Sequence, residues 1–232
     1  MKLEPKRTIL GIDQAVFVQR LAMCDKAAKI NHQLKTSTKE RYNMDKKRRI
    51  LLSSLALPAL GLSACAGPAL LTYQNETPKL VLRDYFNGKL KAWGMFTDRF
   101  GKVVKRFSVD MDCEWNGNQG VFDEHFVYSD GTLQRRVWHM VDEGDGRYQG
   151  RADDVVGQAN GQTSGNAFRW QYTLALPVGE RTWNVEFDDW MYLMDEQTML
   201  NKSKMSKWGF DLGEVTLAFS KQGAPDLTVK SK

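Results

Sequence analysis

Apolar and polar residues alternate along at least seven segments of this chain, and glycine-rich turns separate the segments. Alternation of period two sorts side chains onto the two faces of an extended strand, a pattern that a helix of 3.6 residues per turn cannot use. Val103, Phe107, Val109, Met111 and Cys113 share one face, interrupted only by Lys105, while Lys102, Arg106, Ser108, Asp110 and Asp112 take the other. Phe122, Glu124, Phe126 and Tyr128 fall together, as do Phe168, Trp170, Tyr172, Leu174 and Leu176, then Trp183, Val185 and Phe187, and finally Val215, Leu217 and Phe219. Turn signals stand between them at Asn116-Gly117-Asn118, Ser129-Asp130-Gly131, Gly144-Asp145-Gly146, Asn160-Gly161 and Pro177-Val178-Gly179, spaced about 12 to 18 residues apart.

Helical periodicity is scarce. One short turn is expected around Asp84-Tyr85-Phe86, and residues 195–208 read as a second short turn or a loop. Consecutive hairpins with one apolar face bury that face by closing on themselves, which also removes exposed strand edges. The pattern therefore predicts an all-β domain over residues 80–220, an antiparallel up-and-down barrel of the lipocalin-like kind with about eight to ten strands. A β-sandwich is the alternative. Residues 221–232 are left as a C-terminal tail.

The front of the chain obeys different rules. Lys46-Lys47-Arg48-Arg49 is followed by an apolar run from Ile50 to Leu62 and by Leu62-Ser63-Ala64-Cys65. A cationic start, a short apolar core and small residues before a cut make a secretory signal peptide, here residues 44–64. The run is shorter than the roughly 20 residues of a membrane span. Its end resembles the lipobox of bacterial lipoproteins. That resemblance implies cleavage between Ala64 and Cys65, acylation of Cys65, and membrane anchoring through the lipid. Ala66 in place of Asp implies the outer membrane, with the protein facing the periplasm. Residues 65–79, with Gly67, Pro68, Asn75 and Pro78, read as a lipidated tether that need not fold. Residues 1–43 carry charges throughout and do not extend a signal sequence, so translation is expected to start at Met44, with a cytosolic extension as the alternative.

Charge excludes one class of partner. Residues 1–64 hold 13 Lys/Arg and 5 Asp/Glu, a net of +8, whereas residues 65–232 hold 20 and 23, a net of −3. A body of that charge has no general attraction for phosphate backbones, so no nucleic-acid partner is expected. Glycine spacing fits neither a dinucleotide fingerprint nor a phosphate loop, and no GxSxG elbow is present, so no cofactor is expected. His125 and His139 fall on separate strands without metal-ligand spacing, so no metal is expected either. Cys113, on a strand, reads as a small buried hydrophobe.

Several segments, namely Tyr85-Phe86-Asn87-Gly88, Ala92-Trp93-Gly94-Met95-Phe96, Arg135-Arg136-Val137-Trp138, Arg151-Ala152-Asp153-Asp154-Val155-Val156-Gly157 and Asp188-Asp189-Trp190-Met191-Tyr192, together resemble an uncharacterised family of proteobacterial lipoproteins with a lipocalin-like domain. The resemblance covers residues 78–220 and is nearly silent about activity. Genes of the family often sit beside enzymes resembling cyclopropane-fatty-acid synthases, which implies a role in lipid modification or maintenance of the envelope.

Two acidic pairs, Asp153-Asp154 and Asp188-Asp189, stand where strand neighbours face opposite ways, and Asp189 continues the apolar face of Trp183, Val185 and Phe187. An inward carboxylate needs a partner, and Arg135, Arg136 and Arg151 are the cations to supply one. The chain has seven Trp, which reads either as a close-packed aromatic core or as the lining of an apolar cavity. The candidate ligand-binding set is Trp93, Phe107, Arg135, Trp138, Arg151, Asp154, Trp170, Tyr172, Asp189 and Trp190; no catalytic residue is assigned. Lys202, Lys204 and Lys207 read as a solvated basic loop, or as a contact for anionic lipid. The expected function is binding of a fatty-acyl or other apolar ligand by an anchored barrel. A lipid-modifying enzyme built on Asp154, Asp189 or Arg151, and a scaffold for an unknown protein partner, are the alternatives.

Overall fold

The computed structural model describes residues 67–178 and 181–221. Ala64, Cys65, the signal segment and residues 1–43 lie outside the described residues, as does nearly all of the C-terminal tail. A 3-10 turn (Leu70–Tyr73) and a single turn of α-helix, α1 (Leu82–Tyr85), precede ten strands. These are β1 (Gly88–Asp98), β2 (Val103–Asn116), β3 (Gln119–Tyr128), β4 (Leu133–Gly144), β5 (Arg147–Arg151), β6 (Ala159–Ser164), β7 (Ala167–Val178), β8 (Arg181–Leu193), β9 (Thr198–Lys207) and β10 (Phe210–Ser220).

Every strand pairs antiparallel with its sequence neighbours, and β1 also pairs with β10 from Lys91↔Ser220 to Asp98↔Gly213. The sheet is thus a closed barrel, without a free edge to recruit other strands. Eight strands give an interior that side chains just fill, and ten give more room. Along β2 the buried residues are Lys105, Phe107, Val109, Met111 and Cys113, and along β7 they include Phe168, Trp170, Leu174 and Leu176. The alternation read from the sequence is the inside–outside alternation of the barrel.

Residues 195–208, expected as a turn or loop, contain β9. Its inward face is Met199, Asn201, Ser203, Met205 and Lys207, and three polar residues in five erase the apolar signature that marks the other strands. The expected basic loop is therefore divided. Lys202 and Lys204 point out to Glu214 and Asp211, while Lys207 turns in and donates to the Asn184 carbonyl between the rings of Trp183 and Trp208. Asn160-Gly161, expected as a turn, lies within β6.

Of the stretch expected as an unfolded tether, Leu70–Tyr73 forms its 3-10 turn against β6 and β7. The Tyr73 ring meets Trp190 and Tyr192 on the outer wall, and the two tyrosine hydroxyls are 3.3 Å apart. This docking depends on Gly165 in the β6–β7 turn. Gly165 has φ +55°, and a Cβ there would stand 1.7 Å from the Tyr73 carbonyl oxygen. Its own carbonyl accepts from the Leu80 amide at 2.8 Å.

Gly165→Ala combines left-handed backbone strain with a clash, so it is expected to destabilise the barrel by at least about 1 kcal/mol. It should also release residues 70–76 to proteases before the barrel unfolds. Denaturant midpoints and limited proteolysis read the two effects separately.

Candidate functional site

The barrel interior holds a cavity of about 110 Å³. Its floor is made by Leu82 of α1 and by Phe86, which follows it. Its wall is aromatic: Phe107, Phe126, Trp138, Trp170, Tyr172 and Phe187 all contribute. The rings hold one another. Tyr172 stacks on Phe187 at 5.1 Å, and Trp138 meets Tyr172 and Trp170 edge-on at 5.3 and 5.7 Å. Trp170 fits because β5 presents Gly150 beneath it; a Cβ there would lie 2.7 Å from the indole.

Polar groups from five strands and one loop enter this apolar space. Glu124 (β3) and Arg136 (β4) are opposite each other in register, and their side chains keep only 14% and 10% exposure. Asp189 (β8) faces Ser203 (β9) in register, accepts from its hydroxyl, and accepts from the Tyr172 hydroxyl at 3.2 Å. Arg136 donates to both carboxylate oxygens of Asp154, with Nη2 at 2.7 Å and Nε at 3.1 Å. Asn201, 2% exposed, lies two residues from Ser203 on the same face. Neither its amide nitrogen nor its amide oxygen has a hydrogen-bond partner, and neither does Glu124 Oε2. Buried polar atoms are nearly always satisfied, so three unsatisfied ones on a single cavity are unusual.

Asp154 is not on a strand. It sits in the loop of residues 152–158 between β5 and β6. These two strands are too short to cover the wall between β4 and β7: β5 reaches only His139 of β4, and β6 pairs with β7 only as far as Gln171. The loop covers the gap. The Val156 amide donates to the Thr173 carbonyl, and the Ala175 amide to the Asp154 carbonyl, both at 2.8 Å. The Asp154 carboxylate ties the other side to β4 through Arg136.

Burial sets the protonation of the cluster. It pushes the Glu124 carboxyl up to about 7, against the pull of Arg136 and with the help of Asp154 and Asp189. It pushes Asp189 up to about 7 as well, against hydrogen bonds from Ser203 and Tyr172. Burial and the Asp189 charge raise the Tyr172 phenol far above its usual value. Burial works against the Arg136 charge, yet Asp154 and Glu124 together hold its pKa above the ordinary guanidinium value. The site thus contains one fixed cation and two carboxyls poised near neutrality.

Of the ten ligand-binding candidates, Phe107, Trp138, Trp170, Tyr172 and Asp189 line the cavity. Asp154 reaches it through Arg136. The other four do not line it. Trp93 and Arg135 occupy outward positions, and Arg135 forms a bidentate pair with Asp123. Arg151 is exposed and donates to Gln158. Trp190 lies outside against Tyr192 and Arg169. The cause is strand parity: each is an odd number of residues from an inward neighbour. The same rule recovers what the candidate set lacked, since Arg136 is two residues before Trp138, and Glu124 is between Phe122 and Phe126. Asn201 and Ser203 carried no such signal, because their strand was not recognised.

The buried carboxyls make folding sensitive to pH in a definite direction. In the folded protein Glu124 and Asp189 hold protons up to about 7, whereas their unperturbed values are 4.5 and 3.8. The folded state therefore binds more protons in that interval. Stability from these groups is greatest below the unfolded values and is lost as pH rises through the folded ones. The Tm is expected to fall on the order of 5 °C between about pH 5 and about pH 8. In the double variant Glu124→Gln, Asp189→Asn this profile should be flat, as measured by calorimetry across that range.

Comparison with known proteins extends the description only to family level. Among curated proteins none matches the sequence. The solved structures that resemble the chain include two barrels of low sequence identity. An S-type phycobiliprotein lyase, CPES, from Guillardia theta is 5% identical with a TM-score of 0.48, covering 68% of this chain and 100% of its own. EF1p2_mFAP2b bound to DFHBI is 9% identical with a TM-score of 0.35, covering 60% and 94%. The family described as protein of unknown function, DUF3833, matches residues 59–221, and the chain belongs to it.

Proposed function

We propose that this protein is a binding module of the bacterial cell envelope, which holds a compact apolar ligand inside its barrel while an acyl group on Cys65 ties it to the outer membrane. The observation that carries the binding reading is the aromatic cavity into which Asn201 presents an amide without a partner. Such an amide costs stability unless something satisfies it. A ligand with an apolar body and one polar group meets both halves of that environment.

Size narrows the ligand. A cavity of about 110 Å³ is a little smaller than the engineered cavity of about 150 Å³ that admits benzene. Sites for drug-sized ligands run from roughly 300 to 1,000 Å³. The volume suits a ring or short branched chain better than a long fatty-acyl chain. A link to envelope lipids then rests on the family resemblance rather than on the cavity.

The anchor reading rests on the cationic run, the apolar run and Leu62-Ser63-Ala64-Cys65. Only four residues separate Cys65 from the docked turn at Leu70, a reach of no more than about 20 Å. An acylated Cys65 would hold the barrel wall beside β6 and β7 close to the bilayer.

A second reading is acid–base chemistry on the bound molecule, favoured by two carboxyls near neutral pKa in one cavity. Arg151, one of the groups expected to work in such an enzyme, does not share the site. Membrane lipids of host cells carrying Asp189→Asn test this reading. An altered lipid profile with the fold intact supports it, and an unchanged profile removes it.

Protein purified from its host under native conditions should carry a small organic ligand, detected as a mass excess in native mass spectrometry. Val215→Phe, which fills part of the cavity, should lose that excess while the far-ultraviolet circular dichroism remains. An apo mass from every preparation, with no uptake of small apolar probes, would remove the binding reading. Labelled palmitate should enter the parent protein and not Cys65→Ser; equal labelling of both would remove the anchor.

A further inference from the structure

Within the binding reading just given, the cavity's polar groups specify the charge of the ligand. We infer that the molecule bound in the barrel is a compact amine, whose ammonium group sits among Glu124, Asp189 and Asn201 and whose apolar body lies against the aromatic wall.

The charge of the cavity is set by the groups in and beside it. From β3 comes Glu124, from β4 Arg136, from β7 Tyr172, from β8 Asp189, from β9 the neutral Asn201 and Ser203, and from the covering loop Asp154. β2 and β10 contribute only apolar residues to the lining, and β1 contributes none. Asp123 and Asp188 neighbour the site but point outward to Arg135 and Arg169. The two buried lysines are committed elsewhere, Lys105 to Asp130 and Lys207 to the Asn184 carbonyl. Three carboxyls therefore share one guanidinium, and that guanidinium is clamped by Asp154 through Nε and Nη2.

Each class of ligand head group meets this arrangement differently. A carboxylate or phosphate would meet two carboxyls that ionise near neutral pH, with the one guanidinium already engaged by Asp154. A neutral hydroxyl would satisfy one or two of the free atoms but would not balance either carboxylate once it ionises. An ammonium donates three hydrogen bonds and brings the charge that an ionised Glu124 or Asp189 lacks. It supplies donors for Glu124 Oε2, whose nearest cation is Arg136 Nη1 at 3.9 Å, and for the Asn201 amide oxygen, neither of which accepts a hydrogen bond, and also for Asp189. Aromatic faces add to the preference, because ring quadrupoles attract cations. The cavity already shows this contact once, where Arg136 lies 5.6 Å from the Phe126 ring centre.

Binding of an ammonium draws the two protonated carboxyls into their ionised form, so the complex releases protons as it forms. Affinity for an amine should then rise as pH rises from about 6 to about 8. An acid should follow the opposite course, and an alcohol should change little.

Three short branched probes of similar size separate these cases: isobutylamine, isobutanol and isobutyrate, each titrated by calorimetry into the full chain. Buffers of two different ionisation enthalpies give the proton count. The expected order is amine, then alcohol, then acid, with protons released only for the amine. Glu124→Gln and Asp189→Asn should each weaken the amine about tenfold or more, the size of a lost charge-assisted hydrogen bond. Asp188→Asn, which removes an outward carboxylate, should leave affinity unchanged and controls for nonspecific charge. Native mass spectrometry confirms that each variant is folded. Equal binding of the three probes, or preference for isobutyrate, overturns the amine inference while leaving a ligand-binding barrel in place. If none of the probes binds, and no other small apolar molecule does, the binding reading falls together with the inference.

Discussion

Closure of the ring between β1 and β10 is the contact on which the other features depend. An open sheet of ten strands would expose two edges and one apolar face. The closed sheet exposes neither, and it gives every second residue a shared interior. Ten strands enclose more space than their own side chains need, and the surplus is found at mid-height, where the polar residues cluster. The ends are packed shut: α1 and Phe86 fill one, and Phe96, Tyr128, Leu176 and Met205 are buried towards the other. The cavity follows from strand number and from where small or polar residues interrupt the aromatic wall.

The polar cluster is expensive, and its cost is managed unevenly. Arg136 and Asp154 form a well-shaped pair, with donors and acceptors matched. Asp189 has two hydroxyl donors. Glu124 and Asn201 are left with unpaired atoms. An all-apolar interior of the same volume would be at least as stable, because replacing a buried ionic group by well-packed hydrophobes is often neutral or favourable. Retaining the costly members together, facing one space, ties the departure from simple packing to recognition, since function is where local rules of stability are commonly broken.

The barrel was legible in the sequence because each strand with an apolar face advertises its own period. β2, β7, β8 and β10 announce themselves through Phe, Trp, Tyr, Val and Leu at alternate positions, and Asp189 could be placed inside by extending that count from Phe187. β9 was hidden because Asn201, Ser203 and Lys207 occupy inward positions, and polar inward residues are the very feature that makes it part of the site. The same effect separates Arg135 from Arg136. Residue type cannot choose between adjacent arginines; parity with Trp138 selects Arg136, and the pairing of Glu124 with Arg136 across β3 and β4 gives it its partner. Register is a property of two strands, and only the folded sheet fixes it.

The loop of residues 152–158 joins these threads. Its Asp153-Asp154 pair was read as part of a strand, with one carboxylate in and one out. It is instead the cover of an opening that two short strands leave in the wall. Its hold on β7 is through backbone hydrogen bonds, and its hold on β4 is the Arg136–Asp154 pair. The guanidinium that limits negative charge inside the cavity is therefore also the latch of its cover. Any ligand that competed for Arg136 would loosen the wall that encloses it. One that engages Glu124, Asp189 and Asn201 leaves the latch closed. Physical economy of the site thus favours recognition through its unpaired acceptors and its poised carboxyls, with Arg136 kept for architecture.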